Sequence, residues 1–245
     1  MTNAFRRLGT LGLSHHAAAC ASFSAAILAA TLLAPGAHAQ DVAPEAQTAL
    51  DRQLARIDFA VSGSGLFSTS TNGTNYLSQS VNLRPSNTVG ALVTIRYVKS
   101  PLIGFELNYS YARYTDNFTL ANTATSFAGA TPLALGLQTR ANEYSLGYVA
   151  HTRGEHFGVI PFAAVGAGTV AFTPTRGGGL NYLEQARAGY YYSVGADTPV
   201  FSKYFGLRAT FRENFYLTPD YQTNYIRDLK RSTAFEPGFG FYIKF

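Results

Sequence analysis

Nucleophilic catalysis needs a nucleophile, a base within hydrogen-bond reach and a group that orients the base. Few residues of this 245-residue chain qualify. Cys20 is the only cysteine, so beyond the N-terminal segment there is neither a disulfide nor a thiol nucleophile. Past that segment only His151 and His156 remain of the five histidines, and both fall in one short connection. The chain has no metal-ligand spacing and no phosphate-cradling loop. Gly166-Ala167-Gly168 sits inside a strand pattern, where a strand-to-helix phosphate loop is not expected. What the chain does carry is a dispersed set of opposite charges: Arg96, Arg208 and Arg212 with Glu106, Glu143 and Glu236. Each shares its parity with Gly, Ser, Ala or Thr in an alternating segment. The chemistry open to such residues is ion pairing in an interior, where an unpaired charge is strongly destabilising.

The elements that must position these charges repeat with period two from Arg56 to the last residue. In the first, Arg56 to Phe67, the residues Ile57, Phe59 and Val61 oppose Asp58, Ala60, Ser62 and Ser64. In the second, Thr88 to Val98, Val93, Ile95 and Tyr97 oppose Leu92, Thr94 and Arg96. Ile103, Phe105, Leu107, Tyr109 and Tyr111 form the apolar face of the third, against Gly104, Glu106, Asn108 and Ser110. The fourth sets Tyr144, Leu146 and Tyr148 against Glu143, Ser145 and Gly147. The fifth, Val159 to Phe172, has Ala and Gly on both faces; aromatic residues at both ends place Ile160, Phe162 and Phe172 outward. The sixth sets Tyr190, Tyr192 and Val194 against Tyr191, Ser193, Gly195 and Asp197. The seventh sets Phe205, Leu207, Ala209 and Phe211 against Gly206, Arg208, Thr210 and Arg212. The eighth sets Phe239, Phe241, Ile243 and Phe245 against Glu236, Gly238, Gly240 and Tyr242.

These segments exceed the usual globular strand of about 5 to 6 residues and match a tilted membrane crossing of about 9 to 11. Only 13% of residues are charged while 47% are hydrophobic, so much of the surface is expected to face something other than water. A soluble sandwich would turn its apolar faces inward and show charge outside. Here the polar face is small and crowded, as the interior of a narrow barrel requires. The connections alternate long and short. About twenty residues follow the first strand, then a tight turn at Lys99 to Pro101, a long stretch from Thr115 to Leu137, and a turn at Thr152 to Phe157. A medium loop at Thr173 to Gln185, a turn at Thr198 to Lys203 and a long loop at Leu217 to Arg231 complete the series. The fold class is therefore all-β, an eight-stranded antiparallel up-and-down transmembrane barrel with both termini on the periplasmic side. Glu213 breaks the pattern, since strict alternation puts it on the lipid face. Either it lies above the hydrocarbon or the strand carries a bulge.

The domain organisation follows from the N-terminus. Arg6 and Arg7, the apolar run Ala21 to Ala34, the Pro35-Gly36 break and Ala37-His38-Ala39 make residues 1–39 a secretory signal peptide. Residues 40–55 form a short periplasmic leader with at most a brief helix, and residues 56–245 the barrel. Of the formal charge of +5, two units belong to Arg6 and Arg7. The remaining excess is too small to point to nucleic acid.

The segment Arg56 to Phe245 resembles the small outer-membrane barrel family that includes the OmpA transmembrane domain and OmpX. The most specific part is Phe239-Gly240-Phe241-Tyr242-Ile243-Lys244-Phe245, apolar at every second place and ending on Phe. It departs from the family at Ile243, where an aromatic is usual. The stretch Phe205 to Arg212 is also similar to a penultimate strand of such barrels. The resemblance implies that Phe239, Phe241, Ile243 and Phe245 form the signal read by the barrel-assembly machinery. No sequence remains for a peptidoglycan-binding domain.

The expected function is an integral outer-membrane protein with a structural or surface-interaction role and no cofactor. Its expected partners are outer-membrane lipid, the assembly machinery and a surface ligand of unspecified kind. The interior charges are expected to plug the barrel; the alternative is that they line a narrow ion path. Arg227, Lys230 and Arg231 in the last long loop are candidates for lipid-phosphate contact, and the third carries Gly177-Gly178-Gly179. A lipid-modifying enzyme would need a histidine at the outer rim. His151 and His156 are at the opposite end, so no catalytic residue is assigned.

Overall fold

The computed structural model describes residues 48–120, 133–175, 182–202 and 204–245, with backbone alone at Phe201. The expected signal peptide, the first residues of the leader and Gly177-Gly178-Gly179 lie outside the described residues. A single helical turn, α1 (Ala49–Leu54), opens the described chain. Its capping box is complete: the Asp51 N–H donates to Thr48 Oγ1 at 3.2 Å, and the Thr48 N–H donates to Asp51 Oδ2 at 2.9 Å. The Tyr97 hydroxyl donates to Gln53 Oε1 at 2.8 Å and ties the helix to the barrel's base.

Ten strands follow: β1 (Ile57–Ser68), β2 (Thr71–Thr74), β3 (Ser80–Pro85), β4 (Thr88–Ser100), β5 (Ile103–Leu120), β6 (Leu133–His151), β7 (Ile160–Pro174), β8 (Gln185–Ser202), β9 (Phe205–Leu217) and β10 (Arg231–Lys244). Eight of them, all but β2 and β3, pair antiparallel in sequence order, and β10 returns to β1 to seal the ring. Following partners once round links Ile57, Tyr97, Phe105, Tyr148, Val165, Tyr192, Glu213 and Phe235, and arrives back on β1 at Phe67. The stagger of ten residues is what tilts the strands and closes the cylinder. The connections alternate as the sequence implies.

Three expectations need correction. The first long connection contains the hairpin β2–β3, and β3 takes over β4's place beside β5 above Pro85. The stretch Thr115 to Leu137 is strand at both ends, since β5 runs to Leu120 and β6 starts at Leu133. The register of β7 is inverted: Phe162 and Phe172 are buried in the lumen, and Ile160 pairs with the inward Asp197. Aromatic residues at the ends of β7 fill interior space there and do not anchor the exterior.

Glu213 stays in register between Tyr192 and Phe235, with no bulge at its position. It faces outward in an aromatic belt, and the Tyr192 hydroxyl donates to its carboxylate.

Candidate functional site

All six interior charges singled out from the sequence point into the lumen and are buried. They meet in two clusters. In the lower one, Arg96 grips Glu106 through Nε at 3.2 Å and Nη2 at 2.8 Å, and its Nη1 lies 3.5 Å from Asp197. Arg208 forms a fork onto Asp197 at 2.7 and 2.8 Å and reaches Asp58 at 3.0 Å. Such planar two-point pairing is what the guanidinium geometry favours. The Phe162 ring lies 4.2 Å from the Arg96 guanidinium and 5.5 Å from that of Arg208. This cation–π contact explains why β7 turns that phenylalanine inward.

In the upper cluster Arg212 pairs with Glu143 and, at 3.5 Å, with Glu236, its register partner on β10. Asn214 Nδ2 donates to Glu236 at 2.8 Å and to Glu143 at 3.2 Å, and Ser145 accepts from Arg212 at 3.0 Å. Tyr191 bridges the clusters. Its ring lies under the Arg212 guanidinium, 4.1 Å away, and its hydroxyl donates to Glu106 at 2.8 Å. That crossing needs a wall without side chains, because a Cβ at Gly147 or Gly166 would collide with the Tyr191 ring or hydroxyl. Asp58, Asp197, Tyr191, Asn108 and Asn214 complete the network, although no strand reading assigned them to it. Their inward parity was visible, but which strands face each other across a closed lumen was not.

Two cavities remain beside these groups, of about 20 and 10 Å³. Neither exceeds the space of about one water, so the lumen at this level is essentially filled. Below them a vestibule of about 250 Å³ opens at the base, lined in part by Arg56, Asp58, His151 and Lys244. His151 packs at a tilt against Phe162 with ring centroids 5.9 Å apart, and His156 lies in the following turn, whose backbone closes on Val159. Among the described residues neither imidazole is hydrogen-bonded to a nucleophile.

Above the charges the chemistry reverses. On β5 the outward residues from Ile103 to Tyr111 are apolar or aromatic, and the inward ones are Gly104, Glu106, Asn108 and Ser110. From Ala112 on, the inward residues are Tyr114, Asp116, Phe118 and Leu120, while Arg113, Thr115, Asn117 and Thr119 face out. β6 does the same above Tyr144: Ala141, Thr139 and Leu137 turn in, Arg140 and Gln138 out. The apolar ones among these upper inward residues join Leu66, Val81, Leu83, Val170, Phe172, Tyr216 and Ile226 in one core.

The segment 218–230 folds over this core and is pinned by polar contacts. Tyr221 places its hydroxyl between Asp116 and Thr139 Oγ1, the latter at 2.7 Å. Asp228 accepts from Thr71 at 2.7 Å and from Thr218. Asp220 accepts from Gln185 Nε2 at 2.6 Å and pairs with Arg187 at 3.0 Å. Tyr221 and Gln222 adopt φ of 47° and 59°, the left-handed conformations that turn the chain inward. Burial raises the Asp116 carboxyl to about 7, against the lowering effect of the hydrogen bonds from Tyr221 and Thr139. The loop cations are dispersed: Arg227 lies 3.5 Å from Asp220, while Lys230 and Arg231 are exposed where β10 begins.

No family model matches this sequence, and no curated protein is similar to it in sequence. Solved structures are similar in fold. The outer membrane protein OprG from Pseudomonas aeruginosa aligns over 77% of this chain and 95% of its own at 10% identity, with a TM-score of 0.52. Neisserial surface protein A aligns over 76% and 97% at 12% identity, TM-score 0.46. Ail of Yersinia pestis, solved with a heparin analogue, aligns over 77% and 99% at 12% identity, TM-score 0.36. The likeness to OprG supports the closed small-barrel fold and nothing beyond it.

Proposed function

We propose that this chain is an integral outer-membrane barrel that is sealed to ions, performs no chemistry, and serves the envelope as a structural element with a surface-exposed, folded cap. The observation that carries this is the reversal along β5. Apolar residues face out up to Tyr111 and polar residues from Arg113 on, as a strand crossing from hydrocarbon into water demands. Aromatic pairs such as Tyr109–Tyr144 at 5.1 Å and Phe205–Phe241 at 5.7 Å lie at the two borders of that band. Short turns and both ends of the barrel lie at one end, which supports a periplasmic placement of the termini. Purified outer-membrane fractions test this: the unheated protein should migrate faster than the heated one on a denaturing gel. A single unshifted species, or recovery in the soluble fraction, overturns the reading.

The filled lumen supports a plug over an ion path. In planar bilayers the protein should give no steady conductance, and reproducible unitary currents would reverse that preference. Phe239, Phe241 and Ile243 face outward on the strand that closes the ring, Phe245 follows its last residue and is exposed, and we assign the four as the assembly signal. Replacing Phe245 with Asp should lower the amount of folded barrel in the membrane without altering synthesis. Lys230 and Arg231 remain the loop cations free to meet lipid phosphate, with Arg227 drawn towards Asp220.

A further inference from the structure

Among the described residues, the outward face that β2, β3, β5 and β6 build above the apolar band is basic and carries no acid. Above Tyr111 and Tyr144, the described outward residues of β2, β3, β5 and β6 are mainly Asn, Gln and Thr with Arg84, Arg113 and Arg140, and none is Asp or Glu. Arg113 and Arg140 are direct cross-strand partners. Like charges placed opposite each other destabilise a sheet pair, so this arrangement calls for an anion between them. Arg113 Nη2 donates to Gln138 Oε1 at 3.1 Å, which holds one guanidinium against the sheet. Arg113 stands two residues beyond Tyr111, so the pair lies within roughly 5 to 10 Å of the aromatic border. Lipid phosphates occupy that level.

Arg84 pairs with Asn117, four residues further along β5 than Arg113, so it stands roughly 13 Å away. Beside it a polar cleft of about 400 Å³ is lined in part by Ser70, Asn82, Arg84 and Asn87. Hydroxyls and amides of this kind suit a sugar, and guanidinium forks suit phosphate.

We infer that this face docks the headgroup of a phosphorylated glycolipid of the outer leaflet, with one phosphate between Arg113 and Arg140 and a second group against Arg84. The inference rests on the membrane reading above. Charge and height both select the occupant: the patch is cationic, begins at the hydrocarbon border, and runs up the wall where a neighbouring lipid's headgroup would lie.

The test reconstitutes the mature barrel in vesicles containing either a bisphosphorylated glycolipid or the same glycolipid stripped of phosphate. Retained lipid is counted after extraction into mild detergent. Wild type should retain the phosphorylated form. The double variant Arg113→Gln with Arg140→Gln should bind it roughly thirtyfold more weakly. Replacing both by Lys should keep most of the affinity, and Arg52→Gln on α1 should change nothing. A second readout separates docking from a structural role: the double Gln variant should raise the unfolding midpoint in phosphate-free vesicles, where repulsion is relieved, and lower it in phosphorylated ones.

Equal retention of both glycolipids by wild type, or unchanged binding by the double variant, overturns the proposal. So does a soluble sulfated oligosaccharide that binds as tightly as the lipid, because the occupant would then be a free glycan. Gel mobility distinguishes the two failures. A normal heat shift with phosphate-blind binding removes this inference alone, while absence of the shift removes the membrane reading as well.

Discussion

The lumen at the level of the apolar band and the core above it are filled by opposite means. Below, three arginines and five carboxylates hold the interior; above, Leu83, Phe118, Leu137, Phe172 and their neighbours do. The same strands supply both, and on β5 the in–out burial alternation runs unbroken through the change. The solvent outside accounts for the difference. Where lipid faces the exterior, the apolar residues of an alternating strand must point out, and the interior is left with small, polar and paired residues. Where water faces the exterior, the apolar residues can turn in and build an ordinary core. A charged interior is thus a consequence of the surroundings at that height, and it remains stable only because every carboxylate there meets an arginine or another hydrogen-bond donor.

The largest expected effect comes from unmatching the charged lumen at its upper cluster. Arg212→Ala leaves Glu143 and Glu236 buried without their cation and should destabilise the barrel by about 3–5 kcal/mol, read from urea unfolding in vesicles. Adding Glu143→Gln and Glu236→Gln should restore much of that loss. If the triple variant is no better than the single one, pairing is not what holds this region.

Leu137→Ala removes a fully buried side chain from the upper core and should cost about 2–5 kcal/mol. The effect should be local, with protease clipping of segment 218–230 rising while the heat-modifiable gel shift persists. Loss of the whole barrel would erase the distinction between the two regions.

A smaller effect follows from Asp116, whose folded-state proton affinity exceeds that of the unfolded chain. Its contribution to the cap is full below about 4, the ordinary carboxyl value, and is lost as pH rises through about 7. Cleavage of segment 218–230 should therefore be faster at pH 8 than at pH 5, and Asp116→Asn should flatten that dependence. A pH-independent rate in wild type would remove Asp116 from the cap's energetics.

The least effect is expected at Glu213, outward and bound by Tyr192. Glu213→Gln should change stability by no more than about 1 kcal/mol. A large loss would show that the outer belt, too, depends on matched polar groups.

Legibility in the sequence followed the same boundary. Period-two alternation with apolar residues outward located all eight crossing strands and put Arg96, Glu106, Glu143, Arg208, Arg212 and Glu236 inside. That rule fails above Tyr111, because Thr115, Asn117 and Gln138 then face out. The polar outward residues made strand look like loop. The hairpin β2–β3 and the core beneath segment 218–230 were missed for the same reason. In β7 the rule sent Phe162 and Phe172 outward, since nothing local tells an aromatic that anchors in lipid from one that packs on arginine.

By itself the sequence determined the number of strands that form the ring, the alternation of long and short connections, and which charges share an interior, since each depends on local periodicity. Only the closed tertiary structure decided which charges meet. Asp58 lies 150 residues from Arg208, and Arg212 reaches Glu143 from three strands away. Those distances are set by the stagger of ten residues around the ring, a property of closure that no single strand contains.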